Sequence, residues 1–105
     1  MEKLNFQYEG GEQSFEGRSA VLVGVVGSGN LEVLFEPKPL QGRCLVEITT
    51  AAGGFQQIWS AVMNDFFERH RLRDVRVSIN DVGATPAVVG LRLDQGVEEL
   101  QRSDP

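Results

Sequence analysis

A mainly antiparallel sheet with two helices packed on one face, an α+β sandwich, is the fold class that this 105-residue chain predicts. Three observations carry the prediction. Runs of alternating or β-branched apolar residues fill the first half of the chain. A stretch beginning at Phe55 repeats its apolar residues at helical spacing. A further β run and a second helical stretch then close the sequence, so the order is strands first, then a helix, a strand and a helix.

Leu4, Phe6 and Tyr8 alternate with Asn5 and Gln7 and predict a first strand, ended by Gly10-Gly11. Arg18 to Val26 is rich in β-branched residues, and Leu31, Val33 and Phe35 alternate with Glu32 and Leu34 until Pro37 stops the strand. Between them lies Gly27-Ser28-Gly29-Asn30. Glycine and asparagine tolerate the positive φ that tight connections require, so this tetrapeptide reads as the turn of a hairpin with Ser28 at its exposed tip. Arg43 to Thr50 predicts another strand, with Cys44, Val46 and Ile48 on the inward face.

Gly53-Gly54 breaks the chain. Phe55, Ile58, Trp59, Val62, Met63, Phe66 and Phe67 then recur at helical intervals, with Gln56, Gln57, Ser60, Asn64, Asp65 and Glu68 opposite them. A helix over about 55–69 follows. Val75, Val77 and Ile79 form a strand, and Asn80-Asp81-Val82-Gly83 supplies turn chemistry. Thr85-Pro86 has the form of an N-cap followed by a proline at the first helical position, and Val89, Leu93, Val97 and Leu100 continue at helical spacing to about Gln101. Gly90 and Gly96 oppose that helix, each by about 1 kcal/mol against alanine. Residues 102–105 are expected to form a flexible tail behind a single domain.

The bulk properties narrow the function. A formal net charge of −5 argues against nucleic-acid and anionic-membrane surfaces, which need an excess of Lys and Arg, so the expected partners are proteins. No apolar run approaches the roughly 20 residues of a membrane span, and the N-terminus lacks the apolar core of a signal peptide, which points to a cytoplasmic location. A single cysteine, Cys44, offers neither an internal disulfide nor a metal-binding pair. One histidine and scattered carboxylates supply no nucleophile–base pair, so no stand-alone enzyme is expected and no metal. His70 suits the C-terminal end of its helix, and Arg69, Arg71, Arg73 and Arg76 form a local basic patch on an acidic chain.

The Gly27-Ser28-Gly29 turn remains as a candidate site, and it is not a P-loop because no Gly-Lys-Ser/Thr follows. Flanking glycines leave a hydroxyl sterically open, their N–H groups can form a nest for a phosphodiester oxygen, and a hairpin fixes the base of a swinging arm. A resemblance sharpens this. The segment from Val23 through Gly27-Ser28-Gly29-Asn30 to Leu34, together with Ile79 to Val89 and Leu91-Arg92-Leu93-Asp94-Gln95-Gly96, resembles the acyl-carrier (delta) subunit family of bacterial malonate decarboxylase, over about Arg18 to Leu100.

The resemblance implies that Ser28, flanked by Gly27 and Gly29, carries a 2'-(5''-phosphoribosyl)-3'-dephospho-CoA group through a phosphodiester bond. Its terminal thiol would hold acetyl and malonyl groups. The implied partners are the acyl transferase and decarboxylase subunits, a malonyl transferase and the prosthetic-group transferase. The chain departs from the helical acyl carriers of fatty-acid synthesis, whose serine stands in Asp-Ser-Leu at a helix start, so the ordinary phosphopantetheinyl transferase is not expected to act on it. Two alternatives stay open at this point. One is the citrate lyase acyl carrier, similar in size and plan; the other is an unmodified interaction module that docks through the sheet face the helices leave bare.

Overall fold

The computed structural model describes the backbone of residues 1–25 and 28–102 and the side chains of residues 1–24 and 30–102. Its elements are β1 (Glu2–Tyr8), β2 (Gln13–Ser14), β3 (Val21–Val25), β4 (Ser28–Pro37), β5 (Cys44–Thr50), α1 (Gln56–His70), β6 (Leu72–Arg73), β7 (Val75–Asp81) and α2 (Pro86–Arg102). Five strands form one sheet in the order β1-β5-β7-β4-β3, and β2 pairs with β6 in a small second sheet.

The predicted α+β class holds. β1–β5, β4–β7 and β3–β4 are antiparallel, and only β5–β7 is parallel within the large sheet. That parallel pair follows from α1, which carries the chain back along the sheet before β7 begins. Alternation then fixes the inner face. Leu31, Val33 and Phe35 of β4 lie beside Asp81, Ile79 and Val77 of β7, which in turn lie beside Thr50, Ile48 and Val46 of β5. All nine are buried. The helices cover this face, and Trp59, Met63 and Phe66 of α1 join Val89, Leu93, Val97 and Leu100 of α2 in the same core. Cys44 points inward, as expected.

Helix α2 starts as its sequence predicts, with the Val88 N–H donating to the Thr85 hydroxyl at 3.3 Å. Gly96, which propensity counts against the helix, sits where an added Cβ would collide with the Phe35 ring. The glycine lets α2 approach β4 closely enough to seat a fully buried phenylalanine. Helix α1 ends on Arg71 in the left-handed region (φ 46°), its N–H bonded to the Phe67 carbonyl at 2.8 Å.

Several expectations need correction. The strand predicted from Arg18 begins at Val21, because Phe15 to Arg18 closes a turn through the Arg18 N–H to Phe15 carbonyl bond. Phe55 caps α1 instead of opening it, and Phe55 and Ile58 are 47% exposed, since the helix enters the core only from Trp59 onward. Asp81 is a buried end of β7, not a turn residue, although the carboxylate does bond to local backbone. Arg102 belongs to α2 and not to the tail. The β2–β6 pair was too short to leave a sequence pattern.

Candidate functional site

Ser28 was expected inside a turn; its backbone opens β4 and is the partner of Val25. Gly27 lies outside the described residues, as do the side-chain surroundings of Ser28, so the accessibility of the hydroxyl is an expectation from the sequence. What the structure does define is the frame on which Ser28 is mounted.

That frame is irregular. Val21, Leu22 and Val23 pair with Phe35, Leu34 and Val33, and the next pair is Val25 with Ser28. One residue, Gly24, separates the β3 partners of the last two pairs, whereas four, Gly29 to Glu32, separate those of β4. β4 absorbs three surplus residues while keeping its register with β7 as far as Leu31–Asp81. Two residues with positive φ accommodate the slip: Gly24 at 79° and Asn30 at 62°. Gly24 is constrained twice, because a Cβ there would also run into the Leu31 carbonyl. A bulge of this kind bends and re-aims the strand that bears it.

The neighbourhood is set by topology. Ser28 at the start of β4 lies at the sheet end where β5 and β7 finish and where both helices begin. The Val82 N–H donates to the Asn30 carbonyl at 2.9 Å and ties the base of the hairpin to the end of β7. Beside it, buried Asp81 accepts a hydrogen bond from the Thr50 hydroxyl at 2.8 Å and another from the Ala84 N–H at 2.8 Å. A cavity of about 210 Å³ opens at the same end, with Phe55, Ile58 and Trp59 on one wall and Ala84, Pro86 and Val89 on the other.

Arg92 on α2, given no role by the sequence reading, faces the slip. Its Nε lies 3.3 Å from where a Cβ on Gly24 would stand. The Nε is buried and has no hydrogen-bond partner among the described residues, while Nη1 donates to Gln95 Oε1 at 3.1 Å. Its place one residue before the buried Leu93 and four before Gly96 put it on the rim of the core stripe, which periodicity alone reads as solvated surface.

The other candidates fall into structural roles. Burial pushes the Cys44 thiol up to about 12, leaving it protonated and poorly nucleophilic. His70 ends α1 and lies 2.8 Å from Asp94 of α2, which also accepts from Arg69 at 2.7 Å. Burial works against ionisation of Asp94, yet hydrogen bonds from Arg69 and His70 hold its carboxyl below the usual range. The basic patch is neutralised in place, with Arg71 on Glu68, Arg73 beside Asp74 and Arg76 on Glu47. Among the described residues, no group of three His, Cys, Asp or Glu side chains could hold a metal ion.

Comparison with known proteins places this frame in a family. Residues 18–100 match the family model for the malonate decarboxylase delta subunit (MdcD). The chain is 58% identical over 105 residues to a malonate decarboxylase acyl carrier protein of Stenotrophomonas maltophilia, covering 100% of this chain and 99% of the relative. It is 59% identical over 104 residues to that of Xanthomonas euvesicatoria, covering 99% of each. A chain in a crystal structure of a Pseudomonas malonate decarboxylase hetero-tetramer in complex with malonate superposes with a TM-score of 0.82 at 40% identity, over 95% of this chain and 99% of that one. With a match that spans the slipped hairpin and both helices, the chain belongs to the malonate decarboxylase delta-subunit family of acyl carrier proteins.

Proposed function

We propose that this chain is the non-catalytic carrier of malonate decarboxylase, joined through the Ser28 oxygen to a 2'-(5''-phosphoribosyl)-3'-dephospho-CoA arm. The observation that carries the reading is the match of residues 18–100, which includes Gly27-Ser28-Gly29, to the delta-subunit family. Acyl carrier relatives of the same length support it, and they favour malonate over citrate as the substrate of the complex. The hetero-tetramer named for the Pseudomonas structure supports partner subunits that supply acyl transfer and decarboxylation. A malonyl transferase and a dedicated prosthetic-group transferase complete the set, and a cytoplasmic location suits them; among the described residues no helix is long and apolar enough to cross a membrane.

The residues present fit such a group. A buried guanidinium nitrogen with no hydrogen-bond partner among the described residues stands beside Gly24, which leaves room for it where any side chain would intrude. Ser28 would hold the arm covalently, and Gly27 and Gly29 would leave the phosphodiester uncrowded, their N–H groups available to its oxygens. When bound, the arm supplies a thiol whose thioester stabilises the carbanion formed as carbon dioxide leaves. The chain itself contributes tethering: a fixed anchor turns encounters with several active sites into intramolecular ones at high effective concentration. Cys44 cannot substitute for the arm's thiol, being buried and protonated.

Intact-mass measurement on protein purified from its native host tests the reading. The expected mass exceeds that of the polypeptide by one dephospho-CoA derivative, and Ser28→Ala removes the increment completely. Native protein with the bare chain mass rejects the proposal.

A further inference from the structure

An arm on Ser28 brings phosphate charge to a chain whose formal net charge is already −5. We propose that Arg92 binds this charge, its guanidinium donating to the phosphodiester oxygens next to Ser28. The inference rests on the carrier reading above and adds the residue that holds the root of the arm.

The chain has ten Lys and Arg residues. Arg69, Arg71, Arg73, Arg76 and Arg102 are each within ion-pair distance of a carboxylate. Arg18 donates to the Leu100 and Gln101 carbonyls, and Arg43 to that of Leu40. Lys3 belongs to β1, the far edge of the sheet from β3, and Lys38 follows the opposite end of β4 from Ser28. Arg92 is left, with no carboxylate partner among the described residues.

The Arg92 Nε is also buried. A guanidinium N–H removed from water without an acceptor is unfavourable, and the imbalance is relieved when an anion supplies the acceptor. Arg92 Nε stands 3.3 Å from the Cβ position of Gly24, which adjoins Val25, the strand partner of Ser28. Adjacent Cα atoms are about 3.8 Å apart, and paired ones on facing strands about 5 Å. These steps are successive and bound the separation of Arg92 Nε from the Ser28 Cα, and a serine side chain, its phosphate and one hydrogen bond together reach about 8 Å across it. Arginine's planar fork also suits phosphate better than a point charge does. The strand slip thus sets Gly24, the neighbour of Ser28's strand partner Val25, against Arg92.

The test compares ¹⁵N-labelled protein from the native host with its Ser28→Ala form and with Arg92→Gln and Arg92→Lys. In the arm-bearing protein the Arg92 Nε–H resonance is expected to exchange slowly with solvent and to move from its position in Ser28→Ala. Arg92→Gln should shift the phosphodiester ³¹P resonance. It should also raise the concentration of unmodified carrier needed for half-maximal arm transfer about tenfold, the scale of one charge-assisted hydrogen bond, with the limiting rate kept. Arg92→Lys should recover only part. An Arg92 signal identical with and without the arm, or an unmoved ³¹P signal in Arg92→Gln, overturns the inference while the mass increment upholds the carrier reading; a missing increment overturns both. The comparison with Ser28→Ala needs no change at Arg92, so it decides the matter even if Arg92→Gln fails to fold.

Discussion

The centre of the sheet and the β3–β4 hairpin treat the same alternating pattern in opposite ways. Through β5, β7 and β4 the register runs without a break, and inward side chains meet as matched rows under the helices. Between β3 and β4 the register holds for three pairs and then slips, with Gly24 and Asn30 turned to positive φ. The rows at the centre exist to exclude water. The slip lies where β4 begins with Ser28, and Arg92 stands beside its Gly24. Regular geometry thus holds the molecule together, and the candidate site lies where that geometry is interrupted.

Substitutions can break or sharpen this contrast. The largest effect is expected at Gly96, where a methyl group must displace the Phe35 ring from a fully buried position. Gly96→Ala should lower stability by about 3 kcal/mol in urea denaturation, outweighing its helix-propensity gain of about 1 kcal/mol. Next comes Thr50→Val, which keeps the shape but removes the hydroxyl donor to buried Asp81. A loss of about 2 kcal/mol is expected, again from urea midpoints.

At the slip, Gly24→Ala forces an alanine into positive φ and against the Leu31 carbonyl, with a stability loss of about 1–2 kcal/mol expected because an edge strand can shift. The same variant should accept the arm more slowly in a mass-monitored transfer assay. A Gly24→Ala protein as destabilised as Gly96→Ala, with transfer unchanged, would dissolve the distinction between the two regions.

The smallest effect is electrostatic. The folded-state pKa of Asp94 lies below its unfolded value, so its contribution is present above that unfolded value, about pH 4, and is lost as pH falls through the folded one. Asp94→Asn should therefore flatten the acid limb of a stability–pH profile and leave the hairpin untouched. Because Asp94 is 45% exposed, the change is expected to be slight.

Much of the core was legible because period-2 and period-3.6 patterns encode which face of an element is buried. Cys44, Val46 and Ile48 were assigned inward on that basis, and so were Val89, Leu93, Val97 and Leu100. Phe55 and Ile58 misled, since an amphipathic pattern does not say where a helix leaves the core. Asp81 misled as well: asparagine and aspartate next to glycine signal a turn, and the Thr50 hydroxyl of a neighbouring strand, together with the Ala84 N–H, makes burial of that carboxylate tolerable.

For the candidate site, the chain on its own determined the chemistry on offer. It supplied a serine between glycines, no competing reactive thiol, an acidic balance that needs a local cation, and the local patterns that select an α+β sandwich. Tertiary structure alone decided the strand slip, the approach of α2 over Gly96, and the placing beside Gly24 of a buried guanidinium Nε that has no hydrogen-bond partner among the described residues. The physical reason is range. Alternation and capping act between residues a few positions apart, whereas Gly24 and Arg92 are brought together only when a sheet and a helix distant in sequence pack into one core.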